Sequence, residues 1–230
     1  MGSLKETIME ELNCETVFTI KIGTLEIPIA ESTVITWVIM GIVLIFCFVM
    51  TRNLKEKNVS KRQLAAEAIV TSLDKFIKGM VGHEGARYTP YLCSVLIYIG
   101  LANLIGLFGV KPPTKDLNVT AGLALMSIIL IQYASIHKKG VKGWVKSFTQ
   151  PIAIVTPINI LELFIKPLSL CMRLFGNVLG AFVIMELLKS LVPVVLPVPF
   201  SFYFDIFDGL IQAYVFVFLT SLYIKEAVED

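Results

Sequence analysis

The chain has 230 residues, of which 56% are hydrophobic and only 17% charged, and its formal net charge is +2. So few charges cannot cover the surface of a soluble domain of this size, and so small a net charge excludes the basic footprint of a nucleic-acid partner. Apolar runs of about 18 residues or more mark an all-α integral membrane protein.

The stretch "MGSLKETIMEELNCETVFTI" is acidic and mixed, without a basic region ahead of an apolar core, so no cleavable signal peptide is expected in it. Residues 1–31 are expected to form an extracytoplasmic N-terminal segment, and residues 32–230 a single polytopic membrane domain. The first span is "STVITWVIMGIVLIFCFVMT", Ser32 to Thr51. Arg52, Lys55, Lys57, Lys61 and Arg62 follow it at once. Excess Lys and Arg beside a span marks its cytoplasmic side, which puts the N-terminus outside.

Gln63 to Val81 mixes Leu64, Ala68, Leu73 and Ile77 with Glu67, Asp74, Lys75 and Lys78. This pattern predicts an amphipathic helix lying at the cytoplasmic surface. Tyr88 to Gly109 is the second span. The two prolines of "VKPPTKDLNVT" turn the chain outside, and Ala121 to Ile136 brings it back to Lys138, Lys139, Lys142 and Lys146. Both basic clusters give one topology, with the C-terminus cytoplasmic. His83 and His137 fall in cytoplasmic connections and receive no role.

The channel-like pair of segments covers about 152–227. The first of them is some forty residues long, too long to stand upright in a hydrocarbon core about 30 Å thick. It must tilt, bend or protrude, and Pro157 and Pro167 are natural bend points. "PVVLPVPFS" ends it, and Phe202 to Ala227 returns. The four cysteines, Cys14, Cys47, Cys93 and Cys171, stand far apart. Their spacing suggests neither a zinc site nor a disulfide framework, and they read as small apolar packing residues.

Arg173 lies inside "SLCMRLFGNVLGAFVIM" with no acid among the ten residues on either side. An arginine stays charged, and one at mid-bilayer costs at least about 2.5–3.5 kcal/mol. On a helix its face carries Ser169, Gly176, Asn177 and Gly180, and continues back through Lys166 and Glu162. The opposite face carries Leu170, Leu174, Val178 and Phe182. In the last segment Asp205, Asp208 and Gln212 share a face at i, i+3 and i+7. Antiparallel pairing of the two segments could bring Gln212 towards Arg173, where a neutral amide would orient the guanidinium without cancelling its charge. Snorkelling fits poorly this far from a segment end, and voltage sensing needs repeated arginines. What remains is a fixed positive post that meets a negative charge arriving from elsewhere.

"SLCMRLFGNVLG" resembles the signature of subunit a of F-type ATP synthases, with Ser169, Arg173, Leu174, Phe175, Gly176 and Asn177 matching it. "INILELFIKPLSL", "PPTKDLNVTAGLAL" and "IQAYVFVFLTSLYI" are similar to further segments of that family in the right order. The resemblance implies about five membrane helices plus one in-plane amphipathic helix, with the last two helices long and strongly tilted against a ring of subunit c. It implies a role in H+ or Na+ translocation and no nucleotide chemistry on this chain. No cofactor and no metal site are expected. The implied partners are the c-ring, the peripheral-stalk subunit b and the other synthase subunits, in the membrane of a bacterial cell.

The resemblance carries ion translocation onto Arg173, Ser169, Asn177 and Gln212. It breaks at Phe182, where many proton-type members have a carboxylate or a histidine. Glu186, one turn later, and Asp205, on the facing helix, are expected to line the extracytoplasmic half-channel instead. The rival class is a secondary transporter that binds an anionic substrate at Arg173. It would require matched repeats with broken helices, and the chain has none visible.

Overall fold

The computed structural model describes residues 16–22, 25–52, 54, 60–149, 153–191 and 197–229. Cys14, Lys55, Lys57 and the 192–196 part of the Pro-rich break lie outside the described residues. Two strands, β1 (Thr16–Ile22) and β2 (Leu25–Ala30), pair antiparallel with Lys21 opposite Glu26 and Ile20 opposite Ile27. The hairpin corrects the expectation of an N-terminal segment without regular structure: Phe18–Ile22 and Leu25–Ile29 each carry apolar residues at every second position, the period of a strand. A two-stranded ribbon is marginal alone; β2 runs straight into the first helix.

That helix, α1 (Glu31–Thr51), is apolar all round, and only Ser32 and Ile39 on it are buried. Side chains such as Trp37, Leu44 and Phe48 point outward on several faces. Such a surface is stable only where lipid replaces water. Near its N-terminal end α1 is fastened to the other helices by hydroxyls: Ser32 donates to Asp116 Oδ2 at 2.5 Å, and Thr36 Oγ1 lies 3.0 Å from Tyr98 Oη.

Helix α2 (Lys61–Val81) starts at a Ser60 cap, whose Oγ accepts from the Gln63 N–H at 3.2 Å. It ends at Gly82, whose φ of 78° lies in the region that favours glycine. The expected amphipathic helix is therefore present, but its two halves differ. Ile77 and Val81 are buried in the core, while Leu64, Ile69 and Val70 are exposed. The C-terminal half of α2 enters the core, whereas in the N-terminal half the buried residue is the polar Gln63.

Helix α3 (Thr89–Leu104) is flanked by 3-10 turns at Ala86–Tyr88 and Ile105–Phe108. Gly109, at φ 74°, leads into the loop, and a third 3-10 turn spans Pro113–Lys115. Asp116 then caps α4 (Leu117–Ser147) by accepting from the Asn118 N–H at 2.9 Å. The range covers two helices joined at a kink: the first ends at Gly140, whose φ of 70° and ψ of 166° are not helical, close to the end of the expected span, and a second, basic helix follows it to Ser147. His137, near that break, lies 2.9 Å from Arg87 Nη1, and Lys138 pairs with Glu84 at 2.8 Å. The connection between α2 and α3 and the basic end of α4 thus lie together.

Helix α5 (Thr156–Leu191) has 36 residues, or about 54 Å at 1.5 Å per residue. Pro157 falls in its first turn, where the missing N–H costs nothing, and the helix continues through Pro167. A short helix α6 (Pro197–Ser201) passes through a π-helical turn, Phe202–Asp208, into α7 (Gly209–Glu229). Among the described residues five helical segments are long and apolar enough to cross a membrane: Glu31–Thr51, Ala86–Phe108, Leu117–Ser147, Thr156–Ser190 and Pro199–Val228. The core joins Leu92 and Ile99 of α3, Ile131 of α4, Leu170 and Leu174 of α5, and Val217 and Ile224 of α7. Cys171 belongs to this core, whereas Cys47 is exposed on the lipid-type surface of α1.

Candidate functional site

Helices α5 and α7 run antiparallel. Near the start of α5, Lys166 Nζ lies 3.1 Å from both carboxylate oxygens of Glu226, near the end of α7, and 3.2 Å from Glu162 Oε2. At the opposite end Phe182 and Glu186 of α5 line the same cavity as Asp205 and Asp208. The pairing that sequence could only suggest is therefore present in the fold.

Between these ends Arg173 sits on the outer face of α5. Leu170, Cys171 and Leu174, around the helix from it, are buried in the core, which fixes the rotation of α5 and turns Arg173 outward. Gly176 and Asn177 are exposed beside it and Ser169 is half-buried. Phe164, Leu168 and Met172 of α5, with Ile211, Tyr214, Phe218 and Leu222 of α7, are exposed large side chains on these two helices. Among the described residues no hydrogen bond or ion pair reaches the Arg173 guanidinium. A fixed positive charge on so apolar a surface requires a partner or water from outside the chain.

The cavity at the far end has a volume of about 510 Å³. Its acids are Glu186, Asp205 and Asp208, and its cations Lys111, Lys115 and Lys189. Lys189 pairs with Glu186 at 2.7 Å. Asp205 comes so close to α3's end that a Cβ on Gly106 would stand 2.9 Å from its Oδ1. The π-helical turn carries both aspartates, and π turns of this kind concentrate at functional sites. Asn103 holds the end of the turn by donating from Nδ2 to the Gly209 carbonyl at 2.9 Å, while Thr114 donates to Asn103 Oδ1 at 2.7 Å.

Of the residues singled out from sequence, Glu186, Asp205 and Gln212 meet at this cavity, joined by Asp208. Arg173, Ser169 and Asn177 are not among its lining residues. No hydrogen bond joins Gln212 to Arg173 among the described residues. By the Lys166–Glu226 register Gln212 stands nearer the level of Phe182 than that of Arg173, roughly one to two turns away. Ser221 does not extend the polar line, since its hydroxyl donates to the Val217 carbonyl at 2.7 Å in its own helix. Lys115, Gly106 and Asn103 escaped the sequence reading. Lys115 lies inside a loop motif that was noticed, but no spacing rule links it to Phe182. Among the described residues no cluster of three or more His, Cys, Asp or Glu is placed to hold a metal ion.

A family described as ATP synthase A chain matches residues 33–225. The chain is 37% identical over 207 residues to ATP synthase subunit a of Moorella thermoacetica, covering 88% of this chain and 92% of the relative. It is 31% identical over 224 residues to the sodium ion specific ATP synthase subunit a of Propionigenium modestum, covering 90% and 77%. It is also 34% identical over 212 residues to a chloroplastic ATP synthase subunit a from Oedogonium cardiacum, covering 87% and 83%.

Proposed function

The chain belongs to the ATP synthase A chain family, and from that premise we propose that it is the stator subunit a of an F-type ATP synthase, coupling transmembrane flow of H+ or Na+ to rotation of a c-ring. The observation that carries this reading is Arg173, an outward-facing cation on the apolar surface of α5 and α7, with no acid of its own chain paired to it among the described residues. Its partner in this reading is the membrane-buried carboxylate of each passing c subunit.

The physical logic is short. A carboxylate facing lipid must be neutral or ion-loaded, since an unpaired charge there costs several kcal/mol. Opposite Arg173 its ionised form is favoured, so the carboxylate gives up its ion. The same positive charge repels a cation that would pass straight between the two aqueous half-channels. Rotation then becomes the only route. The cavity lined by Glu186, Asp205 and Gln212 serves as the extracytoplasmic half-channel, and Ser169 and Asn177 keep the surface around Arg173 small and wet. Helices α5 and α7 lie tilted along the ring, α2 lies in the plane of the cytoplasmic surface, and peripheral-stalk subunit b holds the chain still. The nucleotide chemistry belongs to other subunits. The membrane is a bacterial cell membrane, with the hairpin end outside and the basic clusters inside.

The test uses the intact complex in proteoliposomes. Arg173→Ala is expected to abolish ATP synthesis while permitting passive ion leak, and coupled synthesis retained in this variant would overturn the reading. The ion is identified by whether ATP hydrolysis depends on added Na+. The Propionigenium modestum relative is sodium ion specific, and the oxygen-rich cavity suits either ion.

A further inference from the structure

We infer that Lys115 is a fixed cation of the ion-access cavity, seated on the Phe182 ring, and that it sets how readily the cavity admits the translocated ion. The inference rests on the functional reading above and assigns a role to Phe182, the position at which the sequence departs from its family resemblance.

The Lys115 ammonium stands 3.4 Å from the centroid of the Phe182 ring. An aromatic face attracts a cation through its quadrupole, and the attraction grows when the cation is desolvated. Lys115 is 9% exposed, so its ammonium has little water of its own. Its backbone is held on both sides. Thr114 is bonded to Asn103 of α3, and Asp116 takes the Ser32 hydroxyl of α1 while capping α4. A lysine normally carries about 2 kcal/mol of rotamer freedom. Here the loop, the ring and burial hold it in one place.

The ammonium and ring share the cavity with Glu186, Asp205 and Asp208. Lys111 and Lys189 line it too, Lys189 paired with Glu186, so without Lys115 the three carboxylates would outnumber the cations and leave a net pull on an entering cation. A cation built into the wall weakens that pull, so an entering cation is held less tightly and is released more readily. Phe182 is therefore no gap in the polar path: it is the seat of a charge supplied by a loop 67 positions earlier in the chain. Phe182 acts through Lys115 as a positioning residue.

The experiment measures initial ion flux through the reconstituted complex against concentration, in a pH series for H+ and a NaCl series for Na+, at low and high choline chloride. Lys115→Gln should lower the half-saturating concentration of the translocated ion about three- to tenfold at low ionic strength, and the shift should shrink as salt screens the charge. Phe182→Leu, which takes the ring from beneath the ammonium without removing the charge, should shift the value in the same direction by less. Lys115→Arg should keep the original half-saturation, because guanidinium also stacks on an aromatic face. An unchanged half-saturation in Lys115→Gln, or a fall in maximal rate alone, overturns the inference. Arg173→Ala is run alongside: if it uncouples the complex while Lys115→Gln shifts nothing, only this inference fails. If Arg173→Ala keeps coupled synthesis, the functional reading fails first.

Discussion

Asn103 of α3 and Gly209 of α7 are in contact at the level of the π-helical turn: the Asn103 Nδ2 donates to the Gly209 carbonyl at 2.9 Å, and a Cβ on Gly209 would stand 2.9 Å from the Asn103 Cβ. The amide is buried, and its oxygen takes the Thr114 hydroxyl, so one side chain ties the loop, α3 and α7 together. Both aspartates of the cavity hang from the turn that this contact ends. The geometry of this cavity thus depends on a neutral residue whose own chemistry is only hydrogen bonding.

Asn103→Ala should cost about 1–3 kcal/mol, because it takes the acceptor from the buried Thr114 hydroxyl and removes the tie to Gly209. Gly209→Ala should also destabilise, since two Cβ atoms at that separation force the helices apart. In an Asn103→Gly background the collision vanishes, and Gly209→Ala should turn stabilising by up to about 1 kcal/mol through helix propensity. Thermal unfolding of the detergent-solubilised chain measures all three. A Gly209→Ala effect of the same sign in both backgrounds would show that the contact does not limit the packing.

How much of this was legible in sequence depended on the range of the interaction. The lipid-facing α1, the amphipathic α2 and the antiparallel α5 and α7 follow from local period, charge and length, so they could be read directly. The hairpin was legible too, since Phe18, Ile20 and Ile22 and then Leu25, Ile27 and Ile29 keep a two-residue period, but each run is only five residues long beside a far longer apolar span. The short helix after Gly140 was hidden because a lysine-rich, glycine-containing stretch reads as a loop, and the non-helical Gly140 does separate it from the span before it. Arg173 announced itself by the absence of acids near it in the chain. Lys115 did not, since the meaning of a loop lysine lies in a ring that only tertiary packing brings beneath it.

Gly106→Ala should slow ion flux at least several-fold, because the added methyl would meet Asp205 Oδ1 at 2.9 Å and push the carboxylate from its place. The side chain responsible can be removed as a control. In an Asp205→Ala background Gly106→Ala should add no further loss of flux, since nothing remains for it to strike. Additive losses in the double variant would mean that Gly106 acts through some other contact.

Lys166 bridges Glu162 on its own helix and Glu226 on α7. Glu226 is about half exposed, so the pair should contribute about 1 kcal/mol or less to stability. A double-mutant cycle of Lys166→Met with Glu226→Gln, read by thermal unfolding at low and high salt, should give a small coupling that fades with salt. A large, salt-independent coupling would mean that this end of the two helices is far better shielded than its exposure indicates.

Glu186→Gln and Asp205→Asn should each slow ion flux without uncoupling it, because both line the access cavity and neither is the barrier to direct leak. Glu186 is already paired with Lys189 at 2.7 Å, so its loss should be the milder. Flux measured in proteoliposomes orders the two. Unchanged flux in both variants would remove this cavity from the ion path.

Arg173→Lys is the most informative change at the barrier, since it keeps the formal charge and alters its kind. A guanidinium remains charged at every accessible pH and is weakly hydrated, while an ammonium is a strongly hydrated point charge that can shed its proton when desolvated. The outer face of α5 is apolar around this position, with Leu168 and Met172 among its exposed residues. A lysine there should therefore hold the barrier incompletely, and less well as pH rises and its proton is lost. Passive leak through vesicles stripped of the catalytic head should be larger in Arg173→Lys than in the native chain and should grow with pH, with coupled synthesis down at least about tenfold (roughly 1.4 kcal/mol at the barrier). Undiminished coupling at every pH would mean that any cation serves at this position, and that the fork geometry of arginine has no part in the mechanism.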